Sequence, residues 1–226
     1  MFTLDALPPA LDAQLVEKLK RAEPATIGHF RNWGFADPAI GAMQPDVRIA
    51  GPAVTVRAPG VDGTIVGYAL GQVRAGDVLV IDRCGDHRHA AFGGLVAYAC
   101  KVARIAGVII DGMATDIGEV RRYGVPLWCR GLSAVTTKRI GLAGEFCRPV
   151  SCGGVTVNPG DVVIADECGI VFLDRREAEA AADRAIGMQD AEAASRARLD
   201  AGEKLPDISG ATKVLNDVMA KQSPKA

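Results

Sequence analysis

The chain has 226 residues, 26 basic and 27 acidic side chains, a formal net charge of −1, and 49% hydrophobic but only 5% aromatic residues. This balance leaves no electrostatic footprint for nucleic acid, the apolar content argues against global disorder, and no apolar run approaches the roughly 20 residues of a membrane span. The length suits one domain with terminal helical additions, and a core poor in aromatics must be built from Val, Ile, Leu and Ala.

The first residues lack a basic region followed by an apolar run, so no signal peptide is expected. The six cysteines (Cys84, Cys100, Cys129, Cys147, Cys152, Cys168) form no C-x-x-C pair. A reduced, cytoplasmic setting is expected and a structural zinc site is not.

Residues 9 to 22 carry helical spacing (Leu11, Leu15, Leu19) after Pro8-Pro9, a suitable helix start. Thr26 is placed to cap a second short helix ending near Gly34. Val47 to Ala58 reads as a strand interrupted by a bulge or bend at Gly51-Pro52. A short helix from Thr64 to Val73 precedes a strand from Val78 to Asp82. The polar loop Arg83 to His89 leads into a long helix from about His89 to Ile105, then the strand Gly107 to Asp111. A turn at Asp111-Gly112 delivers Thr115 and Asp116 to a helix ending at Tyr123, and Pro126 to Arg130 is the next strand. This alternation implies a parallel or mixed sheet with helices packed on it.

The pattern changes in Val150 to Leu173, where short apolar strands are separated by Gly-Gly, Asn-Pro-Gly-Asp and Glu-Cys-Gly. This is a β-rich unit with tight turns. Asp174 then caps a last helix running towards Asp200, whose alanine-rich face suits packing against a neighbour. The tail after Gly202, with Pro206, Gly210 and Pro224, is either an ordered arm or partly disordered. The expected organisation is N-terminal helices over 1–34, a core over 35–174, and a C-terminal helix and tail over 175–226, a single domain overall.

Asp116 follows a strand and precedes a helix, at the carboxyl end where open α/β sheets hold ligands. It is either a metal ligand or a helix N-cap, and capping is the commoner role for Asp at such a position. Asp111 reads as a turn former. The stretch Gly93-Gly94-Leu95-Val96 either presents free amides to an anion at a helix start or is simple packing glycine. In the loop, Arg83 or Arg88 is able to pair with a carboxylate, against the alternative of an exposed loop without a role. His87 and His89 point apart in an extended loop and do not suit joint chelation. Cys84 beside Arg83 is the one cysteine kept open as a nucleophile. There is no G-x-x-x-x-G-K-[ST], no G-x-G-x-x-G after a strand and no G-x-S-x-G.

The run GGLVAYACKVARIAGVIIDGMATDIGEVRRYGVPLWCRG resembles the family that holds 4-hydroxy-4-methyl-2-oxoglutarate aldolase and the regulator of ribonuclease activity A (RraA-like proteins). GPAVTVRAP and AGDVLVID upstream and GGVTVNPGDVVIADECGIVFL downstream match in the same order, so the resemblance covers roughly residues 25 to 195. It implies an α/β protein with a compact α/β/β layered fold similar to the swivelling phosphohistidine domain, a mixed sheet with helices. It also implies a homotrimer or homohexamer with active sites at subunit interfaces. In the aldolases an acidic residue is followed, after twenty residues, by Arg-Asp; the Asp anchors a divalent metal and the Arg holds the pyruvate-type carboxylate.

Asp116 matches the metal ligand, and the amides near Leu95 and Val96 match the anion-binding helix start. Gly94 stands where the acidic residue is expected and Thr115 where the Arg is expected. A threonine offers no bidentate charged fork, so Arg83, Arg88 or an arginine of a neighbouring subunit has to replace it if the chemistry is kept. The expected catalytic residues are therefore Asp116, Thr115, Arg83 and Arg88. Gly93, Gly94, Leu95, Val96 and Thr115 form the substrate cradle, and Mg²⁺ or Mn²⁺ sits at Asp116. The expected function is a metal-dependent lyase, an aldolase or decarboxylase, acting on a small 2-oxo acid through a pyruvate enolate, with neither nucleic acid nor membrane as partner. The alternatives are a non-catalytic regulator of the ribonuclease-regulator type and an enzyme of the same scaffold with another substrate class.

Overall fold

The computed structural model describes residues 1–222, so Pro224 of the tail lies outside the described residues. In chain order the elements are β1 (Phe2–Leu4), α1 (Ala13–Arg21), α2 (Pro24–Gly28), β2 (Gly41–Ala42), β3 (Ile49–Arg57), α3 (Thr64–Leu70), β4 (Val78–Asp82) and α4 (Gly94–Ala103). They continue with β5 (Gly107–Ala114), α5 (Ile117–Tyr123), β6 (Leu127–Leu132), β7 (Gly144–Phe146), β8 (Val150–Cys152), β9 (Val155–Val157), β10 (Val162–Asp166) and β11 (Gly169–Leu173). The chain closes with α6 (Arg175–Asp200), α7 (Leu205–Ile208) and α8 (Ala211–Gln222).

The main sheet runs β1-β7-β3-β4-β5-β6-β2, with β10 and β11 joined to it through β3. Strands β3, β4, β5 and β6 are mutually parallel, whereas β10 pairs antiparallel with both β3 and β11. Buried side chains alternate with the two-residue period of a strand. Val54, Val56, Leu79, Ile81, Val108, Ile110 and Leu127 face one core, shared with α3, α4 and α5. Ala53, Val78, Val80, Ile109 and Trp128 face the other, shared with β8, β9 and β10. The outer face of the β10–β11 pair is covered by α1, α2 and α6, whose Ala178, Ala182 and Ala185 are fully buried. Each buried Val, Leu or Ile stabilises the fold by about 1.5–3 kcal/mol relative to exposure. Trp128 is fully buried and donates from Nε1 to the Asp166 carbonyl at 2.9 Å, so its polar atom is satisfied too.

Several expected boundaries move. Helix α1 starts after Asp12, whose carboxylate accepts from the Gln14 and Leu15 amides, rather than at Pro9. Thr26 lies buried within α2 and does not cap it; Pro24 opens that helix. Strand β3 passes through Gly51-Pro52 without a break, because residues 49–52 pair with β10 and residues 53–57 with β4. Proline is tolerated at that change of partner, and Gly51 is required there because a Cβ would overlap the Gly76 carbonyl. The tail after Gly202 forms α7 and α8.

Two differences shape the site. The long helix begins at Gly94, not His89, because Ala90 and Phe92 are extended and bridge to Thr136 and Ala114. Asp111-Gly112 is not a turn: β5 continues to Ala114, with a register shift against β6 between Ile110 and Met113. Asp111 instead accepts from Arg130 Nε at 2.5 Å and from the Gly153 amide at 2.7 Å, tying β5 to β6 and to the β8–β9 turn.

Candidate active site

The extension of β5 carries Thr115 and Asp116 past the sheet to the amino end of α4. There a cleft of about 1120 Å³ opens between α3, α4 and the strap that follows β6. Gly93, Gly94, Leu95, Val96, Thr115 and Asp116 all line it, so six of the residues singled out in the sequence meet on one surface. Asp116 occupies the N-cap position of α5 in the left-handed region (φ 51°, ψ 38°) and makes no side-chain bond to its own helix. That conformation, tolerable for Asp, turns the carboxylate across the cleft. Its Oδ2 accepts from the Gly94 amide at 2.9 Å. Asp116 therefore caps a helix, but α4 rather than the one it precedes. The Leu95 and Val96 amides, in the first turn of α4, have no acceptor among the described residues.

Both glycines of the pair make room for neighbouring side chains. A Cβ on Gly93 would lie 2.7 Å from Asp116 Oδ2 and 2.9 Å from the Thr115 methyl. A Cβ on Gly94 would overlap the Glu119 carboxylate and lie 2.7 Å from its Cδ. The space left at residue 94 is thus filled by an acidic side chain from α5. Glu119 was missed in the sequence, although its position one helical turn after Asp116 is the signal that could have found it.

The arginines expected to hold a carboxylate lie elsewhere. Arg83 is fully buried; its guanidinium donates to the carbonyls of Ala58 and Gly60 and meets Asp86 at 3.5 Å. Burial pulls its pKa below the usual arginine value, opposed chiefly by the Asp86 charge. Its Nε is a buried polar atom without a partner among the described residues. Arg83 organises the loop from within and does not line the cleft. Arg88 is exposed, its carbonyl accepts from Ser133 Oγ, and it too is off the cleft wall. His89 is held by Asp86 (Nδ1 to Oδ2, 2.7 Å). Desolvation and the Asp82 charge push the Cys84 thiol above its ordinary pKa, the wrong direction for a nucleophile.

Cationic side chains on the cleft come instead from Lys138 and Arg139, a basic pair that the sequence suggests is only solvated surface. Neither side chain has a hydrogen-bond or ion-pair partner among the described residues, which leaves both free for an anion. Asp116 and Glu119 supply only oxygen donors. Among the described residues no group of three or more His, Cys, Asp or Glu side chains is arranged for a metal ion. Two carboxylates suit a hard divalent ion that keeps several of its waters, and do not suit zinc. No helix among the described residues is long and apolar enough to cross a membrane.

The chain is 35% identical over 162 residues to a protein of Halalkalibacterium halodurans named "Putative 4-hydroxy-4-methyl-2-oxoglutarate aldolase", covering 71% of this chain and 77% of that protein. Among solved structures it is similar to Streptomyces coelicolor RraAS2, described as an unusual member of the RNase ES inhibitor RraA protein family. The TM-score is 0.74 and the identity 29%, with 84% of this chain and 98% of that one covered. The RNA-processing inhibitor RraA from Thermus thermophilis matches with a TM-score of 0.56 and 30% identity, over 60% of this chain and 82% of that one. The sequence model of the RraA-like family (Aldolase/RraA) matches residues 13–172, a segment that contains the parallel strands β3 to β6 and the whole lining of the cleft, and the chain belongs to that family.

Proposed function

We propose that this protein is a divalent-metal-dependent carbon–carbon lyase, an aldolase or decarboxylase, that releases pyruvate from a small 2-oxo diacid. The observation that carries the reading is Asp116 held against the Gly93-Gly94 helix entrance, with Glu119 packed against Gly94 next to it, in a cleft whose wall also carries two cationic side chains without partners among the described residues. Mg²⁺ or Mn²⁺ held through Asp116 and Glu119 would supply the positive charge that stabilises a developing enolate. The chain's own groups do the rest. Lys138 and Arg139 take the place of the absent motif arginine and bind carboxylates. The Leu95 and Val96 amides orient one carboxylate at the start of α4. Glu119, beside Gly94, would accept the hydroxyl proton lost as the C–C bond of an aldol substrate breaks, and the Thr115 hydroxyl, 3.4 Å from Asp116 Oδ1, orients the carboxylate beside it. Asp116 and Thr115 remain the proposed site residues from the sequence; Arg83 and Arg88 leave that set.

Purified protein with Mg²⁺ or Mn²⁺ is expected to release pyruvate from oxaloacetate or 4-hydroxy-4-methyl-2-oxoglutarate, and a chelator to stop it. Turnover of neither acid with either metal would sink the proposal. The second reading, a non-catalytic regulator, is favoured by Thr115 in place of arginine and by the inhibitors among the similar structures. It predicts that Asp116→Ala leaves capture of an RNA-processing partner intact.

A homotrimer or homohexamer is part of this proposal. Leu95 and Val102 on α4 are 75% and 67% exposed and, with Tyr98, form an apolar stripe at i, i+3 and i+7 beside the cleft. A neighbouring copy covering that stripe would close the cleft to water.

A further inference from the structure

Between β6 and β7 the chain has no regular structure for eleven residues, yet it is tied down along its whole length. Ser133 and the Ala90–Thr137 stretch fix its first half: the Ser133 amide donates to Ala114, the Ala90 amide to Val135, and the Thr137 amide to Ala90. The second half is held by one carboxylate. Asp62, fully buried, accepts from the Ile140 amide at 3.3 Å through Oδ1 and from the Leu142 amide at 2.6 Å through Oδ2. The same Oδ1 accepts from the Thr64 amide at 2.9 Å and hydroxyl at 2.6 Å, and Thr64 Oγ1 in turn accepts from the Gly141 amide at 3.1 Å. Around these bonds the Gly63 amide donates to the Lys138 carbonyl and the Lys138 amide to the Val61 carbonyl, both at 2.8 Å. The two free cationic side chains of the cleft, Lys138 and Arg139, thus sit between the backbone bonds of Lys138 to Val61 and Gly63 on one side and the Asp62 bonds to Ile140 and Leu142 on the other.

We propose that Asp62 is a positioning residue for anion binding: through the Ile140 and Leu142 amides it fixes the strap so that Lys138 and Arg139 face the substrate's carboxylates. The inference rests on the 2-oxo diacid reading for the identity of the anion, but the clamp itself is a property of this chain alone. Long cationic side chains on an untethered loop lose their orientation, and with it the advantage of a prearranged charge. An Asn at residue 62 keeps the size of the side chain but presents an NH₂ group to one of the strap amides. One acceptor bond becomes a donor–donor conflict, and the charge-assisted strength of the others is lost.

The test is a thermodynamic cycle on the full chain with oxalate as the dianionic probe in the presence of Mg²⁺, read by calorimetry. Amide hydrogen exchange of residues 138–142 is followed in parallel. Asp62→Asn is expected to weaken oxalate binding about tenfold in the native background and to have no further effect in a Lys138→Ala, Arg139→Ala background. Exchange at Ile140 and Leu142 is expected to rise. Equal losses in both backgrounds, or no loss in either, would overturn the proposal. Should the unaltered chain bind no oxalate, the 2-oxo acid reading falls and exchange alone judges the clamp: faster exchange upholds it and unchanged exchange overturns it. If Asp62→Asn fails to fold, Thr64→Ala, which removes only the bond to the Gly141 amide and one bond to Asp62, carries the same comparison.

Discussion

Gly94 and Glu119 compete for one volume: the carboxylate of Glu119 occupies the place where a side chain at residue 94 would begin. An acid at residue 94 and an acid at residue 119 are therefore alternative ways of bringing negative charge to the start of α4, and this chain uses the second.

That relationship predicts a swap. Gly94→Ala should displace the exposed end of Glu119 without unfolding the chain and lower pyruvate release by about 10²-fold, the scale of a lost acid–base group. Glu119→Ala should do the same. Gly94→Asp combined with Glu119→Ala should recover activity to within about tenfold of the unaltered chain. Steady-state rates with melting curves for the four proteins check this; a double variant no better than its parents would show that Glu119 does not replace the missing acid.

Asp116 does two jobs that a pair of variants separates. Asp116→Ala removes both the acceptor for the Gly94 amide and the charge, and should cost about 1 kcal/mol of stability as a lost cap does. Asp116→Asn keeps an acceptor for that amide and should keep most of the stability while losing metal-dependent turnover. Denaturant unfolding and pyruvate release distinguish them. A stable and fully active Asn variant would remove Asp116 from the metal site.

The strands Val78–Asp82, Gly107–Asp111 and Pro126–Arg130 were legible as short apolar runs alternating with helical segments, as strands buried on both faces read. So were the β-rich segment after Val150 and the role of Asp174, which caps α6 through the Arg176 amide. What failed depended on partners far away in the chain. Asp111-Gly112 carries turn chemistry, but Asp111 is claimed by Arg130 and the Gly153 amide, 19 and 42 residues away, so the strand runs on. Arg83 reads as a surface cation because charge favours exposure; its carbonyl partners at Ala58 and Gly60 are set by how β3 ends, which no local pattern shows. In the site, Gly93, Gly94, Thr115 and Asp116 were found together because a strand joins them to a helix start. Lys138 and Arg139 reach the same cleft on a strap tied to residues 61–64 and Ala90, far away in the chain.

The burial of Arg83 makes its replacement a folding lesion. Arg83→Ala leaves the Ala58 and Gly60 carbonyls without their donor and should lower unfolding free energy by about 3 kcal/mol or more. Arg88→Ala, on the exposed surface, should stay within about 0.5 kcal/mol. Urea unfolding of the two variants decides; an Arg83→Ala chain of full stability that has lost only activity would return Arg83 to the site.

Burial pushes the Cys100 thiol up to about 12 and the Cys147 thiol, with a further contribution from Asp77, up to about 11. Unfolded, both ionise near the ordinary value of 9. Above that pH the unfolded chain binds fewer protons than the folded one, so stability falls as pH rises. The contribution is fully present below 9 and is lost progressively up to about 11 for Cys147 and about 12 for Cys100. Cys100→Ala should flatten this alkaline decline in unfolding midpoints, and an unchanged slope would show that other groups dominate it. The exposed Cys84 and Cys168 should be the thiols that a disulfide reagent reaches in the folded chain.

The α4 stripe separates assembly from chemistry. Leu95 and Val102 project to solvent from the helix whose first turn lines the cleft, while Ala97 and Cys100 on its other face are buried. Leaving two large apolar side chains exposed beside a site that works best dry is unfavourable unless a second copy covers them. Val102→Asp, two turns from the site, should shift the protein to monomers in light scattering without a large change in its melting temperature, because the side chain is already outside the core. If the cleft is completed by the neighbouring copy, pyruvate release falls with the loss of the oligomer and returns as concentration drives reassembly. A variant that is monomeric at every concentration and still fully active would mean that each chain carries a complete site. A Val102→Asp protein with an unchanged oligomer would place the interface on another face.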